Sequence, residues 1–410
     1  MRLPVQLEGN VLPTVLVVGT LMLLAVLALL GLSDIERTLS YGYHTRKQQQ
    51  AWLDAAMLLC ERDSTLWGRL NETGAFVLFG DDPRSEVTLS RGMWGLYELI
   101  KGSADDGKIR EARLMGCVAE SPKRAALYVC DNQRAFTLAG KSNIKGTIYL
   151  PESGLLYGQV QSDFYSGERL PEQQIRRASE RFPSLSLAIV SALKELFAEI
   201  NTTGAMVVDE LQNGFFEPPI RLRAENLSGV RLYGHILIGS TERIVIDSTA
   251  RLEDVLIVAP EVIIREGFSG SLQIIATDTV RIERHVRLKY PSGIVVAEGT
   301  ADSYVEIAEN SEVNGYMVFR TASETPPEKR TPHYLQQESS RVRGLVWVDG
   351  IAQVHGIVTG SLYVNQANYY SPQGYYMNLL YNASIYRSEA MPFPLWMQSD
   401  YQRKTAKWLD

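Results

Sequence analysis

The sequence predicts a mainly β protein tethered by an amino-terminal transmembrane helix, on three observations. Val11 to Leu32 is an unbroken run of 22 residues without a charge. In the second half, Ile244-Val245-Ile246, Val262-Ile263-Ile264 and Val280-Arg281-Ile282 each begin 18 residues after the last. A second series, Val255-Leu256-Ile257-Val258 and Leu272-Gln273-Ile274-Ile275, lies between them at an offset of 17 residues. Short apolar strands at near-constant spacing, separated by Asp, Ser, Gly and Thr, are the mark of a β-solenoid. In that architecture each coil covers its inward residues only when a neighbour lies against it. A right-handed β-helix is the expected form.

In chain order, residues 1–10 read as a short leader or tail, 11–32 as the span and 33–70 as its helical extension. At a rise of about 1.5 Å per residue the span reaches about 33 Å, enough for a hydrocarbon layer of about 30 Å. A signal peptide has a shorter apolar core and a small-x-small cleavage site. Gly31-Leu32-Ser33-Asp34-Ile35-Glu36-Arg37 lacks such a site, so an uncleaved anchor is expected. No Pro interrupts residues 34–82, and Ile35, Leu39, Trp52, Ala56 and Leu59 recur near helical spacing.

Residues 71–140 then switch to short candidate strands, among them 93–101, 125–130 and 135–138. The turns Gly80-Asp81-Asp82-Pro83 and Ala104-Asp105-Asp106-Gly107 separate them, which predicts an antiparallel β-meander. The solenoid occupies 141–365, with Ile144-Lys145-Gly146-Thr147-Ile148-Tyr149-Leu150 as an early fragment. It carries an insertion at 162–220 and a mobile loop at 321–340. Within the insertion Leu185, Ile189, Leu193, Leu196, Phe197 and Ile200 share one face of a helix at 184–200, expected to cross an open solenoid end. Residues 366–410 read as a Tyr-rich C-terminal cap.

Net charge is −6 and no basic block occurs, which argues against nucleic acid as a partner. Cys117 and Cys130 flank Ser121-Pro122-Lys123, so either a hairpin joins them in a disulfide or both are buried thiols. No Cys-x-x-Cys or His-x-x-x-His spacing points to a metal. No nucleophile elbow, P-loop or dinucleotide fingerprint is present either, so no catalytic residue, cofactor or enzyme activity is expected. Because β-helices often act on polysaccharides, the cluster Asp278, Arg281, Glu283, Arg284 and His285 is the best local candidate. Arg281 and Glu283 alternate with Val280 and Ile282 and share an outward face, as a surface contact or any solvated face would. The segment from Tyr363 to Tyr386 holds seven tyrosines; Tyr369 and Tyr370 fit glycan contact, and fit an end cap equally.

The stretch Leu7-Glu8-Gly9-Asn10-Val11-Leu12-Pro13-Thr14-Val15-Leu16 resembles the leader junction of type IV pilin-like proteins, the minor pseudopilins in particular. That resemblance implies cleavage between Gly9 and Asn10 and a helix that bundles with others in a filament core. It departs from the family at Thr14, where most pilins carry Glu. The coils from Leu232 to about Val364 resemble the β-helices of bactofilins, which are polymer-forming scaffolds. The whole layout resembles an uncharacterised bacterial family of single-span proteins, through the segments around Gly146–Gly154 and Leu252–Pro260.

Together these imply a non-enzymatic, membrane-anchored cell-envelope protein, a structural, assembly or adhesion-type component of a pilus-like or secretion-like system. Its contacts would be the lipid bilayer, protein partners or its own copies, and a glycan. Its large carboxyl domain would be exported to the periplasmic side. Arg37, Arg46 and Lys47 after the span, against Arg2 before it, point the other way, to a cytoplasmic, membrane-tethered, bactofilin-like scaffold. An anchored polysaccharide-acting β-helix enzyme is the third reading.

Overall fold

The computed structural model describes residues 11–62, 73–80, 82–119, 125–184, 193, 195–197, 205–206, 208–321, 332–388, 391–394 and 401–409. The chain is mainly β, with one long apolar helix, Val11–Arg62, on its amino-terminal side. The helix has 52 residues and is therefore about 78 Å long. Its two ends differ. Every residue from Val11 to His44 is exposed, Leu12 by 79%. Further on, Gln49, Leu53, Ala56, Met57 and Cys60 are buried, spaced as one stripe of an amphipathic helix.

Two compact units emerge from the contacts. The smaller comprises Met1–Met57, Ala75–Thr88 and Ser103–Arg110; the larger comprises Leu58–Gly74, Leu89–Gly102 and Glu111–Asp410. In the smaller unit Asp82 caps the short 3-10 turn Pro83–Ser85, its carboxylate accepting the Arg84 amide at 3.0 Å. Pro83 suits the first position of such a turn, where no amide hydrogen is needed.

The expected meander exists as a five-stranded sheet in the order Thr73–Val77, Glu86–Trp94, Tyr97–Ala104, Ile109–Ala119, Tyr401–Leu409. Its composition departs from expectation in three ways. The single strand read at 93–101 is two strands joined at Gly95 and Leu96, with Gly95 at a φ of +61°. That turn is buried, Leu96 being 1% exposed, so its residues are apolar and carry no turn signature. The last strand comes from the far end of the sequence and runs antiparallel to Ile109–Ala119. Finally, the strands expected at 125–130 and 135–138 lie elsewhere. Leu127–Val129 joins a closed sheet, and Phe136–Ala139 sits between Leu155–Tyr157 and Leu379–Tyr381 in a small parallel sheet.

The closed sheet is built by parallel pairing. The repeat seen in the sequence is what pairs: Ile244 lies beside Val262, and Val262 beside Val280. The ladder continues to Val305 and Tyr334 at wider intervals, where longer connections intervene, and returns to 18 residues at Ala352. A second ladder runs Leu222, Ile238, Ile257, Ile274, Ile294, Met317, Val346, Leu362. It then passes to Leu127, Ile148 and Ile175, so a segment from the first half completes what the last strands leave open. These inward residues form one core, each Val, Leu or Ile worth about 1.5–3 kcal/mol on full burial.

Two kinds of strand result. At Arg243–Ile246 and Tyr304–Ile307 buried Ile or Val alternates with the less buried Arg243, Val245, Tyr304 and Glu306, because one face meets water. At Val255–Ala259 both faces are apolar. The outward Leu256, Val258, Ile275, Val295, Val318 and Trp347 form a second core with Trp94, Leu96, Tyr97, Leu114, Phe393 and Leu409 of the larger unit. The continuous apolar runs of the sequence thus mark the flank that the five-stranded sheet covers.

Of the helix expected at 184–200, Leu193 and 195–197 are described; they are helical, and Leu193, Leu196 and Phe197 belong to this second core. Ser184 is described and not helical; the other residues of that helix, the leader and residues 322–331 lie outside the described residues. Tyr334–Gln336, read as part of a loop, is a strand of the closed sheet. Leu155, Tyr165, Leu170 and Ile175, most of them in the segment read as an insertion, pack against the inner core. The Tyr-rich segment takes part in the closed sheet as well, Ile385 pairing with Val358 and Ile144.

Gly315, Gly344 and Gly360 stand in register, with φ of +143°, +135° and +149°. A Cβ on any of them would overlap a carbonyl oxygen of the preceding rung, that of Ser292, Gly315 or Gly344 respectively. Gly344→Ala is expected to cost at least ~2 kcal/mol. Urea unfolding of the detergent-solubilised chain, followed by circular dichroism, measures it; an unshifted midpoint would contradict the packing described.

Candidate functional site

The charged cluster read from the sequence lies on the solvated flank of the closed sheet. Arg281 is 3.6 Å from the Glu306 carboxylate on the next strand, and its guanidinium donates to the Tyr304 hydroxyl. Glu283 accepts from Arg265 at 2.6 Å and from the Glu266 amide at 3.1 Å. Arg284 pairs with Glu309 at 3.3 Å, and His285 Nδ1 lies 3.0 Å from Glu266. Asp278 accepts the Ser303 hydroxyl at 2.5 Å. Arg281, Glu283 and Arg284 are thus each paired with an opposite charge from another rung, Asp278 with a neutral hydroxyl, and the pairs of Arg281 and Glu283 are separate. Such exposed pairs contribute about 0–1 kcal/mol each.

Tyr369 and Tyr370 separate. Tyr369 packs with Tyr376, Tyr381 and His355, at ring distances of 6.0, 4.9 and 5.2 Å, over a small core of Ala139, Val160 and Leu379. Tyr370 is 50% exposed, and its backbone is held on both sides by Gln353. Of the two, only Tyr370 presents its ring to solvent.

Of the two readings of Cys117 and Cys130, the structure has the buried thiols, neither of them in a disulfide. Cys117 ends a strand of the five-stranded sheet, whereas Cys130 follows Leu127–Val129 in the closed sheet, so no hairpin joins them. Cys117 Sγ lies 3.4 and 3.3 Å from the carbonyl oxygens of Phe393 and Pro394. Cys130 Sγ lies 3.2 and 3.1 Å from those of Ser179 and Glu180. Burial pushes the Cys130 thiol up to about 11, so it is protonated and a poor nucleophile at neutral pH. Gly9 and Asn10 lie outside the described residues. Among the described residues no group of three His, Cys, Asp or Glu side chains is placed to hold a metal ion.

The most constructed region was not singled out from the sequence. It is the junction between the Trp94–Tyr97 hairpin and the closed sheet. Gln273, the one polar residue in the run 272–276, accepts the Leu96 amide at 3.2 Å through Oε1 and donates to the Trp94 carbonyl at 2.8 Å through Nε2. The Tyr316 hydroxyl donates to the same Oε1. Only Gly fits at 95, since a Cβ there would overlap the Gln273 amide. Lys407 Nζ holds Asp254 at 2.7 and 2.8 Å, and Trp94 Nε1 donates to the Asp254 carbonyl at 2.9 Å. Glu98, 1% exposed, is paired with Arg91 and, at 3.2 Å, with Arg403. Glu61, in the last turn of the helix, accepts the Thr405 amide at 3.1 Å and its hydroxyl.

No known family, curated protein or solved structure matches this chain. Its reading rests on the geometry alone. That geometry is of a junction, with polar side chains satisfying buried backbone groups.

Gln273→Ala would leave the Trp94 carbonyl and the Tyr316 hydroxyl short of a partner and the Leu96 amide with the longer contact to the Tyr316 hydroxyl at 3.4 Å, at a cost of about 3 kcal/mol. Arg281→Ala is expected to cost under ~1 kcal/mol. Parallel urea titrations of the two variants test the ranking, and equal losses would refute it.

Proposed function

We propose that this chain is a non-enzymatic, membrane-anchored cell-envelope protein, a structural, assembly or adhesion-type component of a pilus-like or secretion-like system. The observation that carries this reading is the helix. Its apolar stretch from Val11 to Leu32 is exposed on every side, and none of the window apolar enough to cross a membrane is buried. A helix apolar all round needs either a protein core or lipid around it, and lipid is the medium that fits here. Beyond the span the same helix runs on without a break until its last turn meets the five-stranded sheet through Glu61. A long helix leading from bilayer to sheet supports the pilin-like resemblance. The β-solenoid reading is supported by the parallel ladders and their closure.

One observation favours a second reading, a cytoplasmic, bactofilin-like polymerising scaffold tethered to the membrane. None of the three cysteines is in a disulfide, as suits a reducing compartment.

Deleting residues 11–32 is expected to move the chain from the membrane pellet to the soluble fraction, while the full chain stays in the pellet after alkaline carbonate extraction. Release of the full chain by carbonate would end the anchored reading. The side is set by a cysteine introduced in the 321–340 segment of intact cells, where the buried native thiols give little background. Labelling by an impermeant maleimide is expected; protection until the membrane is broken would favour the scaffold. The mass of the mature amino terminus tests cleavage between Gly9 and Asn10.

A further inference from the structure

We propose that the seam between the Trp94–Tyr97 hairpin and the closed sheet is a latch released by mild acid, with His235 as its trigger. His235 is 6% exposed and lies between Trp94 of the hairpin, at 4.6 Å, and Phe215, at 5.0 Å, between ring centroids. Its Nδ1 faces the Glu217 carbonyl at 2.8 Å, an acceptor, so the neutral ring carries its hydrogen there. A second proton would place a charge between two aromatic faces with little water.

Among the described residues no side-chain carboxylate is hydrogen-bonded to the ring. Glu217 meets the ring through its backbone. Lys101, on the adjoining strand Tyr97–Ala104, is a further cation near the ring. Asp254 is already held by Lys407, with Glu253 3.5 Å from the same nitrogen. Burial first, and then Lys101, holds His235 below its ordinary 6.5. The sign follows from linkage. Above 6.5 neither the closed nor the open form carries the extra proton, and the seam is at full strength. As pH falls below 6.5 the open form binds a proton that the closed form refuses, so opening is favoured. Asp254 acts in the opposite sense, since burial raises its carboxyl; it protonates more readily in the closed form and resists opening at the acid end. Trp94 is the moving part, because it contacts both His235 and the Asp254 carbonyl.

The test is hydrogen exchange of the full chain in detergent micelles at pH 7.5 and pH 5, corrected for intrinsic rates. The expected result is a gain of about tenfold or more in opening at residues 94–99 by pH 5, with residues 272–276 measured alongside as the sheet they leave. His235→Phe keeps the ring contacts and is expected to abolish the pH dependence. Lys101→Met, which removes the nearby cation, is expected to weaken the acid response, and serves if the first variant does not fold. Equal protection of 94–99 at both pH values, or an unchanged acid response in either variant, would overturn the proposal.

Discussion

Everything in the β part of this chain depends on one constraint: a strand of three or four residues is stable only while another lies along each of its edges. The closed sheet meets it by parallel pairing, which satisfies backbone donors and acceptors and sets like side chains over like. Ile246, Ile264, Ile282 and Ile307 repeat at one position of successive strands, so each covers the next. The glycines at 315, 344 and 360 belong to the same logic, since successive rungs approach too closely there for a side chain. The five-stranded sheet then removes from water the outward apolar residues that the closed sheet leaves on one flank.

How much of this was legible depended on how local the signal was. The register of 244, 262 and 280 could be read because short connections kept the interval constant. The ladder beyond Val280 was harder, as longer connections stretched the spacing without changing the pairing. What stayed hidden was the pairing of distant segments. Nothing in Leu127-Tyr128-Val129 says that its partner is Leu362-Tyr363-Val364 rather than a neighbouring strand. The turn at Gly95 escaped because a buried turn is made of apolar residues. The choice between a bridge and two buried thiols at Cys117 and Cys130 stayed open in the sequence for a related reason: nothing local marks the boundary between sheets that separates them.

The candidate site was legible only in part. Arg281 and Glu283 do lie on an outward face, but their neighbours neutralise them. The junction at Gln273 left a fainter trace, one amide in a run of Leu and Ile. A polar residue on a face that its neighbours mark as covered is a sign that something polar covers it. Glu98 is of the same type: a carboxylate in the strand Tyr97–Ala104 that its buried neighbours make intelligible once Arg403 arrives from the far end of the chain.

The return of residues 125–177 to complete the sheet reached by the last strands has a consequence for the birth of the protein. Leu127–Val129 leaves the ribosome 235 residues before Leu362-Tyr363-Val364, the strand along one of its edges. At typical synthesis rates that interval is on the order of ten seconds or more. Throughout it, the early strands expose edges with no native partner yet made. The closed sheet therefore cannot mature from its amino-terminal side as translation proceeds. Its final shape is reached only when nearly all of the polypeptide has emerged, and the nascent chain must be kept from pairing wrongly until then.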